Sequence, residues 1–204
     1  SLDCKEHALE LSLIIANDHQ KPVISLLGQA NQDTIEVQTS INQWWTESII
    51  VGLKGSKKIK SDLTIIATSD ILFDAKAIKE LSDFMQKNQD VSICHPRVLC
   101  TIKKTEVISA KKLLISKNLY FPKSILASDG DSEVDMLSGR FAVIRTNIFE
   151  QMTFDKGLIH YAADYDFFMN ASRKGHNLIL TNKAVVHVDS TRTGQGKNNI
   201  LTYD

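Results

Sequence analysis

The residues of this chain best suited to do chemistry are an arginine behind two small residues and a set of acids that open a helix. Val134-Asp-Met-Leu-Ser-Gly-Arg140 is followed, after a short apolar strand and helix, by His160-Tyr-Ala-Ala-Asp-Tyr-Asp166. A forked guanidinium beside Gly139 suits a phosphate or a hydroxylated ligand. A carboxylate at a helix start, as at Asp164 and Asp166, can act as a general base. Asp70, at the end of Thr68-Ser-Asp70, and His187, near the end of a later apolar run, extend the set. A carboxylate held just past the end of a strand, as Asp70 is, can help hold an oxygen-ligated divalent cation.

Each of these residues also has a plain structural reading. Asp70 could cap the turn after it, His187 could be an ordinary half-buried imidazole, and Asp164 with Asp166 could serve the dipole of their helix. The tandem Trp44-Trp45 reads more readily as packing than as a platform for a sugar.

The elements that must position these groups alternate strand and helix, the pattern of α/β architecture. Residues 11–16 read as a buried strand ending at Asn17-Asp18, and Pro22 suits the first turn of a helix reaching about residue 29. Residues 34–37 give a second strand and 42–59 a second helix. Leu63-Thr-Ile-Ile-Ala67 is the strongest strand, rich in β-branched residues, and delivers Asp70 at its carboxyl end. Asp74 then caps a helix whose apolar positions Ile78, Leu81, Phe84 and Met85 recur at helical spacing through about Lys87. Residues 91–94 return to strand, with Pro96 near its end.

The lysine-rich segment 101–131 reads as an irregular, solvated excursion. Residues 141–144 resume strand, 147–152 form a short helix and 163–174 a longer one, with Gly175 at its carboxyl cap. Residues 177–180 and 184–188 are two further short strands, and the polar stretch from Ser190 reads as a mobile tail or lid.

Composition bounds the function classes. The 204 residues, 43% hydrophobic, suffice for one domain with a substantial core. Lysines and arginines balance acids, 24 against 24, so no strong field draws the chain to nucleic acid. Three cysteines without close pairing argue against a disulfide framework and a thiolate zinc site, and fit a reducing cytoplasm. No run is apolar and long enough to span a bilayer, and no signal-peptide layout opens the chain. The first strand is not followed by Gly-x-Gly-x-x-Gly, which weighs against a dinucleotide cofactor.

With those residues in place, the chain resembles family 2 glycosyltransferases. The segment LTIIATSDILFDAKAIKELSDFMQKNQDVSICHPRV looks like the family's strand ending in Asn-x-Asp or Asp-x-Asp, with the turn, helix and strand that follow. VDMLSGRFAVIRTNIFEQMTFDKGLIHYAADYDFFMNASRKGHNLILTNKAVVHV resembles the acceptor-side half, especially of rhamnosyltransferase-like members. The resemblance implies a Rossmann-like GT-A fold with a mostly parallel central sheet flanked by helices. It divides the chain into a nucleotide-binding half, 1–100, an acceptor-side half, 101–189, and the tail 190–204.

The resemblance also implies roles. Asp70 and His187 would hold Mg2+ or Mn2+, and Asp164 would be the general base in an inverting displacement. Asn17, Asp18 and Trp45 would line the donor side, and Gly139 with Arg140 would hold substrate. The partners would be a nucleoside-diphosphate sugar and a glycan or lipid-linked acceptor, handled in the cytoplasm or peripherally at the inner face of the membrane. Thr68, Ala163, Asn170 and Met152-Thr153 depart from the family pattern, and the first three motivate a second expectation, a non-catalytic descendant that binds a glycan, nucleotide or protein partner. Ser1 to Leu9 look like the helix after the family's first strand, so either that strand lies upstream or the nucleotide pocket is incomplete.

Overall fold

A computed structural model describes residues 13–17, 34–38, 44–56, 59–116, 119–159 and 162–189. Asp18, the helix expected near residues 22–29, His160 and the tail from Ser190 lie outside these. The chain divides into two compact units, Ser1–Lys60 with Asp155–Tyr161, and Ser61–Phe154 with Ala162–Asp204.

In the first unit, β1 (Leu13–Asn17) and β2 (Thr34–Gln38) pair in parallel, Leu13 opposite Thr34 and Asn17 opposite Gln38. Helix α1 (Trp45–Ser56) packs against both strands. Its buried Thr46 donates a 2.6 Å hydrogen bond to the carbonyl of Leu158, fixing the first turn to the 155–161 segment.

The second unit is built on a mixed sheet. Its strands are β3 (Leu63–Ala67), β4 (Ile71–Leu72), β5 (Val91–Cys100), β8 (Ser132–Glu133), β10 (Phe141–Arg145) and β11 (Asn177–Val188). The order is β3-β10-β5-β11-β4, with β8 also on β11. β5 and β11 run parallel, whereas β10 is antiparallel to β3 and β5, and β4 and β8 are antiparallel to β11, so the sheet is mixed rather than mostly parallel as expected. The expected strand over 91–94 continues to Cys100 through Pro96. Because β10 pairs β5 only at Ile93 and Cys94, the missing N–H of Pro96 breaks no bond to that strand.

Helix α2 (Ala75–Lys87) begins where expected, the Asp74 carboxylate accepting 2.8 Å from the Ala77 N–H. Ile78, Leu81 and Met85 lie on one face of it and join Cys94, Val98, Phe141, Val143, Val186 and Val188 in the core. Arg145 closes the far end of α2. Its Nη2 donates to the carbonyls of Met85 (2.8 Å) and Asn88 (3.2 Å), and its Nε to that of Val91 (2.7 Å). A cation on the last free carbonyls of a helix meets both their hydrogen-bonding need and the negative end of the dipole.

The two strands expected at 177–180 and 184–188 are one strand with a bulge. Leu178 pairs with Ile93 and Leu180 with His95, but beyond residues 182–184 Val186 pairs with Val98 and Val188 with Cys100. An odd insertion reverses the side-chain alternation. Val186 and Val188 therefore face α2, and His187 points to the opposite side. Asp131 holds the bulge, its Oδ1 accepting from the buried Thr181 hydroxyl (2.8 Å) and from the Asn182 N–H (2.9 Å).

The segment read as an irregular excursion contains a hairpin, β6 (Ala110–Ser116) with β7 (Leu119–Ile125), and β9 (Met136–Leu137) pairs with β6. Helix α3 (Ile148–Gln151) is short, and α4 (Ala163–Arg173) packs against β9 and β11. Phe167 of α4 stacks on Phe154 at 4.2 Å and meets Phe168 edge-on at 5.4 Å.

Candidate functional site

The carboxyl end of β3 delivers Thr68, and the backbone ties it to the glycine-arginine turn. The Thr68 N–H donates 2.9 Å to the Arg140 carbonyl, and the Thr68 hydroxyl donates to Asp70 Oδ1. Asp70 is thereby oriented by its own turn, which closes through Ile71 N–H on the Thr68 carbonyl at 3.1 Å. Asp70 therefore sits within the 68–71 turn rather than capping the turn after it, and its Oδ2 is uncommitted among the described residues.

The same turn meets the end of β11. Ile71 pairs with Val188, Leu72 with His187, and the Asp189 N–H donates 2.8 Å to the Asp70 carbonyl. Residues 70 and 187, far apart in the chain, thus lie on adjoining backbones. Ile71 and Val188 are buried, so the intervening positions Leu72 and His187 face away from the core. Leu72 is half exposed and places an apolar surface next to the imidazole.

Asp164, in the first turn of α4, reaches back to the glycine-arginine turn. Its Oδ2 accepts 2.7 Å from the Gly139 N–H and its Oδ1 accepts 2.9 Å from the Tyr165 N–H. The preceding Ala162 has φ of 68°, an uncommon left-handed conformation for a residue with a β-carbon. Ser138 completes the turn, its N–H donating 2.7 Å to the Ser109 carbonyl. The sequence-predicted residues Asp70, His187, Gly139, Arg140 and Asp164 are thus joined in one network within the second unit. Asn17, at the end of β1, and the half-buried Trp45, first residue of α1, belong to the first unit.

Three neighbours were not singled out from the sequence. Lys111 Nζ lies 5.0 Å from the centre of the Tyr165 ring. The Tyr165 hydroxyl is pushed up in pKa, by burial first and then by the Asp164 charge, against the opposing charge of Arg140. His95 is fully buried in β5, its Nδ1 2.7 Å from the Pro96 carbonyl oxygen, with Nε2 lacking a hydrogen-bond partner among the described residues. The Ser138 backbone lies near enough to His95 to favour its charged form, but not in hydrogen-bonding geometry. The apolar run Leu113-Leu-Ile115 directly after Lys111 and Lys112 was a strand signal in what otherwise reads as a basic loop.

Among the described residues no group of three or more His, Cys, Asp or Glu side chains is arranged to hold a metal ion. Asp70 and His187 offer one oxygen and one nitrogen donor type, which suits Mg2+ or Mn2+ only where phosphate oxygens and water fill the remaining positions.

No family model and no curated protein matches the chain. Among solved structures it is similar to GalNAc-T7, in a crystal structure with UDP, GalNAc and Mn2+, at a TM-score of 0.64 and 10% identity. That match covers 87% of this chain and 37% of GalNAc-T7, so the chain spans well under half the length of that protein. A197 from STIV aligns at a TM-score of 0.47 and 15% identity, over 74% of this chain and 70% of that one. The chain has the α/β fold of GT-A glycosyltransferases, a central sheet flanked by helices. Among the described residues no helix is long and apolar enough to cross a membrane.

Proposed function

We propose that this chain is a glycosyltransferase domain that moves a sugar from a nucleoside-diphosphate donor to a glycan or lipid-linked acceptor. The observation that carries the reading is the meeting of Asp70 with the end of β11, beside the Thr68, Arg140 and Asp164 network on a GT-A fold. In this reading Asp70 and His187 hold Mg2+ or Mn2+ together with the donor diphosphate. Such an ion would neutralise charge on the departing diphosphate. Asp164 accepts the proton of the acceptor hydroxyl, each of its oxygens keeping a lone pair beyond its backbone bond. A single displacement with one base inverts the anomeric centre. The resemblance alone assigns Asn17, Asp18 and Trp45 to the nucleotide side. The acceptor-side resemblance favours the rhamnosyltransferase-like subset, and a lipid-linked acceptor would place the domain peripherally at the inner face of the cytoplasmic membrane.

Calorimetry with UDP, with and without Mn2+, tests this. The expected result is binding strengthened at least about tenfold by the ion and lost in Asp70→Ala, the order of effect of removing one charged ligand. A second reading, a non-catalytic domain that keeps the fold, draws on Thr68, Ala163 and Asn170. Metal-independent UDP binding with no donor hydrolysis would favour it and would count against the transferase.

A further inference from the structure

Five lysines and arginines are half-buried among the described residues: Arg97, Lys111, Lys112, Arg140 and Arg145. A cation removed partly from water needs compensation from a partner. Three of the five have it. Arg97 pairs with Glu106 at 2.9 Å, Lys112 with Glu133 at 3.0 Å and Asp135 at 3.5 Å, and Arg145 donates to three backbone carbonyls.

Arg140 and Lys111 are the exceptions. The Arg140 guanidinium makes no hydrogen bond or ion pair among the described residues, although its backbone is fixed at both ends of the turn. Lys111 has only the face of the Tyr165 ring, at 5.0 Å. The backbones that carry Tyr165 and Arg140 are tied together, because Tyr165 directly follows Asp164, whose carboxylate is bonded to Gly139, the residue before Arg140. The Asp164 charge and, less strongly, that of Arg140 are both felt at the Tyr165 hydroxyl. Two half-buried cations without an ion pair, one over the Tyr165 ring and one whose charge reaches its hydroxyl, leave room in the local charge balance for an anion.

We infer that Arg140, Lys111 and Tyr165 form an anion-binding subsite next to Asp164, so that the acceptor carries a phosphate or carboxylate close to the hydroxyl that is glycosylated. The link to an acceptor rests on the transferase reading, whereas the anion subsite itself does not. Arg140 supplies paired donors to two oxygens of the anion, Lys111 a point charge, and the Tyr165 ring keeps the Lys111 ammonium in place.

The test is a nuclear magnetic resonance titration of the chain with glucose 6-phosphate, glucuronate and methyl glucoside. The expected result is that the charged sugars bind and methyl glucoside binds at least about tenfold more weakly. Affinity for the charged sugars should fall as salt rises from about 50 to about 300 mM. Arg140→Gln and Lys111→Gln should each weaken that binding at least about fivefold, with Arg140→Lys recovering part of it. Preference for one charged sugar assigns the anion as phosphate or carboxylate. Equal binding of charged and neutral sugars, or full affinity in both Gln variants, overturns the proposal, as does stoichiometric displacement of the charged sugar by UDP. The salt dependence of the wild-type chain keeps the test decisive if either variant fails to fold. Loss of metal-linked UDP binding with this anion recognition intact would instead remove the transferase reading alone.

Discussion

Asp164 shows how one side chain can serve structure and chemistry together. Its carboxylate receives the Gly139 and Tyr165 N–H groups, which fixes its orientation and also anchors the glycine-arginine turn to α4. An amide at this position keeps one acceptor oxygen but cannot accept from both N–H groups, and it cannot take a proton. Asp164→Asn should therefore lower transfer at least about a hundredfold, the usual worth of a positioned base. It should lower stability by only about 1 kcal/mol, the worth of one such bond, and leave UDP binding within about twofold of wild type. Turnover, urea unfolding and calorimetry on the same preparation separate these effects, and equal activity in the variant would leave Asp164 a purely structural residue. The placement of Asp70 beside the end of β11 was legible only through the resemblance, because nothing in local spacing relates residues so far apart. Lys111 was illegible for a different reason, since a lysine in a basic run reads as a solvated charge until the strand that orients it is known.

At the scale of elements, helices with chemical punctuation were the readable ones. Asp74 and the spacing of Ile78, Leu81 and Met85 fix α2 at both ends, and Gly175 ends α4 as its composition suggests. Gly175 adopts φ of 88°, its N–H donates 2.9 Å to the Ser172 carbonyl, and the His176 N–H donates 3.1 Å to that of Ala171. A β-carbon there would meet nothing within 4 Å, so its cost is conformational alone. Gly175→Ala should destabilise by about 1 kcal/mol, and Gly175→Asn by less. The bulge of β11 could not be read, because Asn182 and Lys183 look like a break between strands and the Asp131 bond that bridges them is long-range. Asp131→Ala leaves the fully buried Thr181 hydroxyl without that partner and should cost about 1–3 kcal/mol. Since the same bulge sets which way His187 faces, the variant should also weaken metal-linked UDP binding, a readout that Gly175→Ala leaves alone.

At the scale of the whole molecule, two adjacent residues in the middle of β5 set the pH range over which the fold is stable. Cys94 and His95 are both fully buried. Burial, reinforced by the Arg140 charge and opposed by the Pro96 and Ser138 backbone, lowers the His95 pKa from 6.5 to about 4. Burial, opposed by the charge of Arg145, raises that of Cys94 from 9.0 to about 12. Below pH 6.5 the unfolded chain binds a proton on His95 that the folded chain refuses, so stability declines as pH falls from there towards 4. Above pH 9.0 the unfolded chain loses the Cys94 proton that the folded chain keeps, so stability declines as pH rises towards 12. Each group contributes a slope of up to about 1.4 kcal/mol per pH unit within its window and almost none between 6.5 and 9.0. Urea unfolding across that range should give a plateau with two falling limbs. His95→Gln should flatten the acid limb, and Cys94→Ala the alkaline one, whatever either substitution does to stability on the plateau. The slopes rather than the midpoints carry the comparison, because Gln in a packed sheet and a cavity at residue 94 each shift stability at every pH by an amount that does not titrate. An acid limb as steep in His95→Gln as in wild type would remove His95 as its cause.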